Sequence, residues 1–518
     1  MNLLLINPFI TVSELTVDLA EPLGLVYLAT YVKEKFGDQI TISVLDLYEM
    51  GADKPKRLAN GYYMLGIDDK QLIRNKIEEF SPDLIGVTCN FTAYAPDALR
   101  TAAIAHSCTP DVPMVMGGAH ATMDPETIMR ENPFIDYIVR EEGEATLEEM
   151  IRALQGEMPI SSVDGLVYRT VDGQIKHSPD RKFIKNLDDI PIPDRSYIRM
   201  DRYSTFPRLS TWYTRKKPIA SIITSRGCPY DCVFCSTKVM WRRRWRGSSV
   251  ERIIEEIEYL EREYAVKEVT IFDDQFFTKK DRVLDFCNYF ANREKKIAFS
   301  YDAGTSPWLV DEHMLTMLKK AGFYSIRFPI ETGNEKTLVY VNKPVKLQQS
   351  LDLIQAANKL GFWTSGNFIL GFPYEERKQM EDTVRYAYNS GLDFASFIAA
   401  RPHKGSEMYE TFKKEGLLDK GIAHTSLYDV SDYDTTKLTA KEITEIIQKA
   451  SSGWYFHKLK FFLNPYNFVN FFLPKLQSWE DFTYMFRIFF VLVKARIIPL
   501  LRKKIIGTSS LIKARSTE

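Results

Sequence analysis

The first 150 residues alternate short apolar runs with amphipathic stretches. Leu3–Ile6, Thr41–Leu45, Leu84–Val87, Met114–Met116 and Tyr137–Val139 read as buried strands. Between them, Leu25–Phe36, Gln71–Phe80, Ala95–His106 and Pro125–Arg130 read as helices. That alternation predicts a parallel, doubly wound sheet with ligands at the carboxyl ends of its strands. Leu166–Arg169 and Gln174–His177, joined by a turn at Asp172-Gly173, add a hairpin. Pro191 and Pro193 then punctuate an acidic connector where a domain boundary is expected.

A second strand and helix series follows. Its strands are Ile219–Thr224, Val269–Phe272, Ile297–Tyr301, Ser325–Ile330, Thr364–Ile369 and Phe394–Ile398. Six such units predict an incomplete α/β barrel rather than the eight-unit form. Ser248 and Glu251, three apart, read as a capping box opening the helix Val250–Tyr264. The fold class is therefore α/β in two units, with a helical remainder.

Composition narrows this little. Of 518 residues, 45% are apolar and 26% charged, as in ordinary globular chains. Lys+Arg and Asp+Glu are 68 each, which gives no reason to expect nucleic acid as a partner. The balance is uneven, because residues 451–518 hold 11 basic and 3 acidic side chains. The start MNLLLINPFI has no basic leader and no run is long enough to span a bilayer, so a cytoplasmic protein is expected. Six cysteines, three of them within eight residues, do not make a disulfide scaffold.

Those three carry the chemistry. Cys228, Cys232 and Cys235 follow the first strand of the second series, spaced so that three thiolates converge from one loop. Soft sulfur ligands suit zinc or an iron–sulfur cluster. No fourth Cys or His lies nearby, which disfavours zinc and leaves one metal position open. Cys89, Cys108 and Cys287 stand in apolar or helical contexts and read as structural.

The pattern CxxxCxxC with Phe234 before the last cysteine resembles the radical S-adenosylmethionine (SAM) superfamily. The resemblance implies a 4Fe–4S cluster on Cys228, Cys232 and Cys235, whose open iron binds SAM and cleaves it to a 5′-deoxyadenosyl radical. It also implies SAM contacts from Phe234, from Asp273 and Asp274 after the second strand, and from Glu331 after the fourth. Asn367 and Gly371 resemble the fifth-strand segment that packs on adenine. The turn Arg401–Ser406 departs from the usual pattern.

Upstream, small and hydroxyl residues follow the strands, where backbone can approach a large planar or phosphate-bearing ligand. Placed before a radical SAM core, they resemble the cobalamin-binding domain of the cobalamin-dependent class, so the resemblance covers about residues 1–410. It implies corrin contacts from Leu23, Gly24, Thr88, Asn90, Gly117, Gly118, His120, Glu142 and Gly143. The Asp-x-His-x-x-Gly motif that supplies an axial histidine elsewhere is absent.

Trp241–Arg246 interleaves aromatics with arginines beyond the cluster and reads as a solvated connector rather than a nucleic-acid patch. Residues 451–518 mix aromatics and bases, which suits either a helix lying in a membrane interface or a helical cap on the barrel.

The expected organisation is a Rossmann-like cobalamin domain (1–180), a linker (181–215), a radical SAM partial barrel (216–410) and a helical region (411–518). The family resemblance implies methylation of an unactivated carbon of a small hydrophobic substrate, lipid or tetrapyrrole, with flavodoxin or ferredoxin as electron donor. Oxidative cyclisation, as in the anaerobic magnesium-protoporphyrin ester cyclase, is the alternative. A non-catalytic cobalamin sensor and a methylthio transferase stand further off. The tail would set the protein on the inner face of the membrane.

Overall fold

A computed structural model describes residues 1–13, 19–205, 214–301, 303–418 and 430–492. The N-terminal unit is a seven-stranded sheet. From one edge its strands are Ile175–His177, Leu166–Arg169, Tyr137–Val139, Met114–Gly117, Leu84–Thr88, Asn2–Asn7 and Thr41–Asp46. The last five run parallel and the edge hairpin antiparallel. Leu4, Ile6, Ile85 and Val87 pack on one face, and Leu3, Leu5, Leu84 and Val115 on the other. Burial on both faces explains why these strands read as continuous apolar runs. A small antiparallel sheet of Ile10–Val12, Tyr63–Leu65 and Lys56–Arg57 has no counterpart in the sequence reading, because its strands are too short to show a period.

The second unit is a partial barrel of two parallel three-stranded sheets. Ile219–Ile222, Glu268–Ile271 and Ala298–Tyr301 form one. Ser325–Glu331, Trp363–Leu370 and Phe394–Ala399 form the other. A parallel bridge between Phe299 and Phe323 joins them. The helix Val250–Tyr264 is capped by Ser249, which accepts from Arg252 N at 3.1 Å. The capping box read at Ser248 is therefore replaced by a cap one residue later. The Ser248 backbone is engaged instead, with its N–H on Thr224 O and its carbonyl accepting from Arg282.

The segment after residue 181 is firmly tied. Arg195 is fully buried and donates to Pro193 O, Ser221 O and Glu256 Oε1 at 2.9–3.0 Å. Glu21 Oε1 accepts from Ser221 N at 2.9 Å, so the loop leading into the first helix of the sheet unit is locked to the first barrel strand.

The helical C-terminal region does two things. Tyr484 and Ile488, from the helix Trp479–Leu492, pack with Ala298, Tyr324, Trp363 and Phe394 at the strand starts and close that end of the barrel. Buried Lys475 donates to Asp393 Oδ2 and Asn358 Oδ1 at 2.6 Å, fixing the preceding turn. No helix among the described residues is long and apolar enough to cross a membrane. Residues 493–518, the most basic part of the tail, lie outside the described residues.

Candidate functional site

The two units meet at an open cleft of about 1730 Å³, counting its mouth. Its floor is made by the carboxyl ends of the N-terminal strands. Thr88 ends one strand with Asn90 just beyond it, Gly117 ends the next with Gly118 beyond it, and Glu142 and Gly143 follow the third. Gly118 has φ +109°, and a Cβ there would stand 2.5 Å from Asn90 Oδ1 and 2.8 Å from Cys89 O. Only glycine fits that turn. Gly24, in the first turn of the helix Leu23–Phe36, has nothing within 4 Å of a Cβ position, so the cleft keeps free space above it.

Two residues of the expected corrin set do not line this cleft. Leu23 is buried with Tyr27, Leu187 and Ile190 against the connector, because the helix turns its first residue inward. His120 sits in the first turn of the short helix Ala119–Met123, its Nδ1 3.0 Å from Thr92 Oγ1. Among the described residues the cleft wall carries no histidine.

The opposite wall comes from the barrel: Arg226, Ser236, Thr237, Met240, Phe272 and Asp274. These flank the cysteine loop. Ser225–Arg226 pairs antiparallel with Arg246–Gly247. Gly227 has φ +89°, and a Cβ there would lie 2.1 Å from Arg244 O. Further along, Val233 N donates to Val341 O and Met408 N to Val233 O, so the loop is ribbed into the structure on both sides. Burial pushes the Cys228 thiol up to about 11 and the Cys232 thiol up to about 12, with Lys343 pulling both down. Thiols held protonated by burial become ligands only where a cation offsets the charge, as the iron of a cluster would. No three His, Cys, Asp or Glu side chains among the described residues stand in an arrangement for a single metal ion. Three soft donors on a fixed loop suit a cluster with one open corner.

The expected SAM residues divide. Phe234 packs 6.3 Å from Phe372, which follows Gly371. Gly371 has φ +92° and donates its N–H to Glu375 Oε2 at 2.8 Å. Glu331 ends its strand with φ +67°, a strained value for a side-chain-bearing residue, and binds Lys343 Nζ at 2.6 Å. Lys343 also lies 5.9 Å from the Phe234 ring. Asn367 is half-buried on the adjoining strand. Asp273 and Asp274 point to different tasks. Asp273 is fully buried and accepts from Thr224 N, Thr224 Oγ1 and Ser225 Oγ, each at 2.6 Å, so it clamps the cysteine loop to the neighbouring strand instead of facing a ligand. Asp274 opens to the cleft although protein crowds around it, and that confinement raises its carboxyl above the ordinary range.

Sequence reasoning missed Arg226, Tyr27 and Lys343. Nothing local marks them, since each acquires its partner across the fold. The arginine run is spent on carboxylates: Arg242 pairs with Glu141, Arg243 with Asp231 and Arg246 with Glu142. Cys89 and Cys287 are buried with thiols pushed up to about 12, as inert packing residues should be.

Residues 222–387 match the model of the radical SAM superfamily and residues 15–151 that of the B12 binding domain. An uncharacterized methyltransferase of Pyrococcus horikoshii is 33% identical over 84% of this chain and 87% of its own. The cytidylyl-2-hydroxyethylphosphonate methyltransferase of Streptomyces wedmorensis is 29% identical over 77% and 79%. The anaerobic magnesium-protoporphyrin IX monomethyl ester cyclase of Rubrivivax gelatinosus is 28% identical over 65% and 60%. Among solved structures, the cobalamin-dependent SAM radical enzyme OxsB with aqua-cobalamin and SAM bound superposes with TM-score 0.70 at 17% identity, covering 91% of this chain and 72% of that one, a likeness of fold.

Proposed function

The chain belongs to the cobalamin-binding radical SAM enzymes, which use a 4Fe–4S cluster, SAM and cobalamin, and from that premise we propose that it methylates an unactivated carbon of a small hydrophobic substrate. One observation carries the reading: a single cleft has the glycine-rich strand ends as its floor and the flanks of the cysteine loop as its wall. When bound, the cluster and SAM supply a carbon radical that removes hydrogen from the substrate, and cobalamin supplies the methyl group.

In this reading Cys228, Cys232 and Cys235 hold the cluster. Phe234, Asp274, Glu331, Asn367 and Gly371 surround SAM, and Asp273 positions the loop. Gly24, Thr88, Asn90, Gly117, Gly118 and Gly143 cradle the corrin, with Glu142, its carboxylate held by Arg226 and Arg246, beneath them. Residues 1–180 and 216–410 act as corrin unit and cluster unit, joined through 181–215, and within the helical region 411–518 the helix Trp479–Leu492 plugs the barrel. A reduced flavodoxin or ferredoxin supplies the electron.

The test uses anoxically purified, cluster-reconstituted protein given hydroxocobalamin and then desalted. Retained corrinoid, with both 5′-deoxyadenosine and S-adenosylhomocysteine formed from SAM and reductant, is the expected result. A protein that retains no corrinoid sinks the reading. Formation of 5′-deoxyadenosine without S-adenosylhomocysteine selects the second reading, oxidative cyclisation, which the similarity to the anaerobic cyclase favours. Acceptor screening sets lipids and tetrapyrroles against nucleotide phosphonates of the kind the Streptomyces relative is named for.

The tail bears on that substrate class. Phe456, Leu459, Leu463, Tyr466, Val469 and Trp479 stand exposed, and the segment 451–518 is strongly basic. We place it against an anionic membrane face. Sedimentation with phosphatidylglycerol vesicles should fall on Trp479→Ser with Leu463→Ser; unchanged sedimentation would remove the membrane from the account.

A further inference from the structure

Arg226 stands between the two units, two residues before the first cluster cysteine. Its Nη1 donates to Glu142 Oε1 at 2.9 Å and its Nη2 to Glu144 Oε1 at 2.6 Å. Its guanidinium also lies 5.6 Å from the centroid of the Tyr27 ring. Both carboxylates belong to the N-terminal unit: Glu142 follows the strand Tyr137–Val139, and Glu144 opens the next helix, where the helix dipole favours an anion. Arg246, from the strand paired with Arg226, adds a second guanidinium on Glu142 at 2.8 Å and holds Ile184 O at 2.6 Å. Ile184 N returns a bond to Glu142 Oε2 at 2.9 Å.

The four charged side chains are almost sealed from water. Exposure of their side chains is 10% for Arg226, 2% for Glu142, 5% for Glu144 and 12% for Arg246. Burial works against the Arg226 charge, but Glu144 and Glu142 outweigh it and hold its pKa above the ordinary range. Burial likewise opposes ionisation of Glu144, and Arg226 overcomes it to leave that carboxyl below its usual value. A buried ion pair is weak support for stability, since an apolar replacement of similar volume does as well. What the network supplies is geometry. One forked guanidinium spanning two fixed carboxylates, with Arg246 Nη1 on the shared one, tolerates little sliding, and that fork is covalently continuous with the cysteine loop.

We propose that the Arg226–Glu142–Glu144–Arg246 network is a positioning device that sets the separation between the cluster loop and the corrin cleft. It rests on the cofactor assignment above. Arg226 lines the cleft beside Gly143 and Asp274, so a shift of this network moves the cysteine loop relative to the cleft floor. Reactions between two held groups lose on the order of 100-fold for a displacement of about 1 Å.

The test compares wild type with Arg226→Gln, and with the double variant Arg226→Gln, Glu144→Gln. The double variant leaves the Glu142–Arg246 pair intact and no carboxylate stranded, which guards against simple unfolding of the single one. Iron content and retained hydroxocobalamin are measured first, then the magnetic spin–spin coupling between cobalt and the reduced cluster, then S-adenosylhomocysteine formed per 5′-deoxyadenosine. The expected result is a double variant loaded with both cofactors, with altered coupling and a product ratio lowered on the order of 10- to 100-fold. Arg226→Lys, which keeps the charge but loses the fork, should fall between. A loaded double variant with wild-type coupling and ratio overturns the proposal. Wild type that fails to retain corrinoid would instead overturn the cofactor reading beneath it.

Discussion

At the carboxyl ends of its strands the N-terminal sheet presents Thr88, Asn90, Gly117 and Gly118, small groups with open space in front. The barrel presents there a thiol loop, the buried Asp273, and Glu331 in a strained conformation. Both are parallel sheets finished by short turns, so architecture alone does not distinguish them. The difference is in how the space is prepared. The sheet unit withdraws side chains and leaves its backbone open. The barrel crowds in charges and hydrogen bonds.

The largest effects are expected at the three cysteines. Cys228→Ala, Cys232→Ala or Cys235→Ala should each abolish SAM cleavage with the protein still folded; iron analysis and 5′-deoxyadenosine assay read this, and a variant keeping both would undo the barrel half. On the sheet side, a Cβ at Gly24 meets no neighbour within 4 Å, so Gly24→Leu should leave the fold intact while filling the cleft. Hydroxocobalamin retention after desalting should then be lost with iron content unchanged.

A smaller effect sharpens the barrel half. Glu375 is buried at the turn after Gly371, and burial raises its carboxyl from 4.5 to about 7, against the two backbone N–H bonds it accepts. A raised carboxyl contributes stability in full below about pH 4.5 and loses it as pH rises through about 7. Glu375→Gln should therefore gain relative to wild type across that window, by on the order of 3 kcal/mol, and level off above it. Parallel unfolding curves at pH 5 and pH 8 would contradict this. Smallest of all, His120→Ala loses its contact with Thr92 at a cost of about 1 kcal/mol. It should leave corrinoid retention and absorbance unchanged, because His120 stands outside the cleft wall; a shifted corrin spectrum would return it to the site.

Much of this was legible from the chain. Strands buried on both faces write themselves as apolar runs, so all six barrel strands and the five parallel strands of the first unit stood out. The cysteine spacing is local and needed no fold to interpret. Less legible were the short strands of the small antiparallel sheet, where three residues carry no period, and the helix cap, where Ser248 and Ser249 look equally suited until Ser248's backbone is seen to be engaged by Thr224 and Arg282. The aromatic tail was ambiguous for a physical reason: a plug and a membrane-facing surface share one composition. Tyr484 and Ile488 close the barrel while Trp479 stays exposed five residues earlier.

The sequence by itself determined the order of elements, the two-unit α/β architecture and the ligand loop, because each is encoded by neighbours along the chain. Tertiary structure alone decided which of two adjacent aspartates clamps the loop and which opens to the cleft. It alone turned Leu23 inward and set Arg226 against Glu142 and Glu144 across more than 80 residues. Those outcomes rest on partners brought together in space, and a carboxylate's role follows from who faces it rather than from who precedes it.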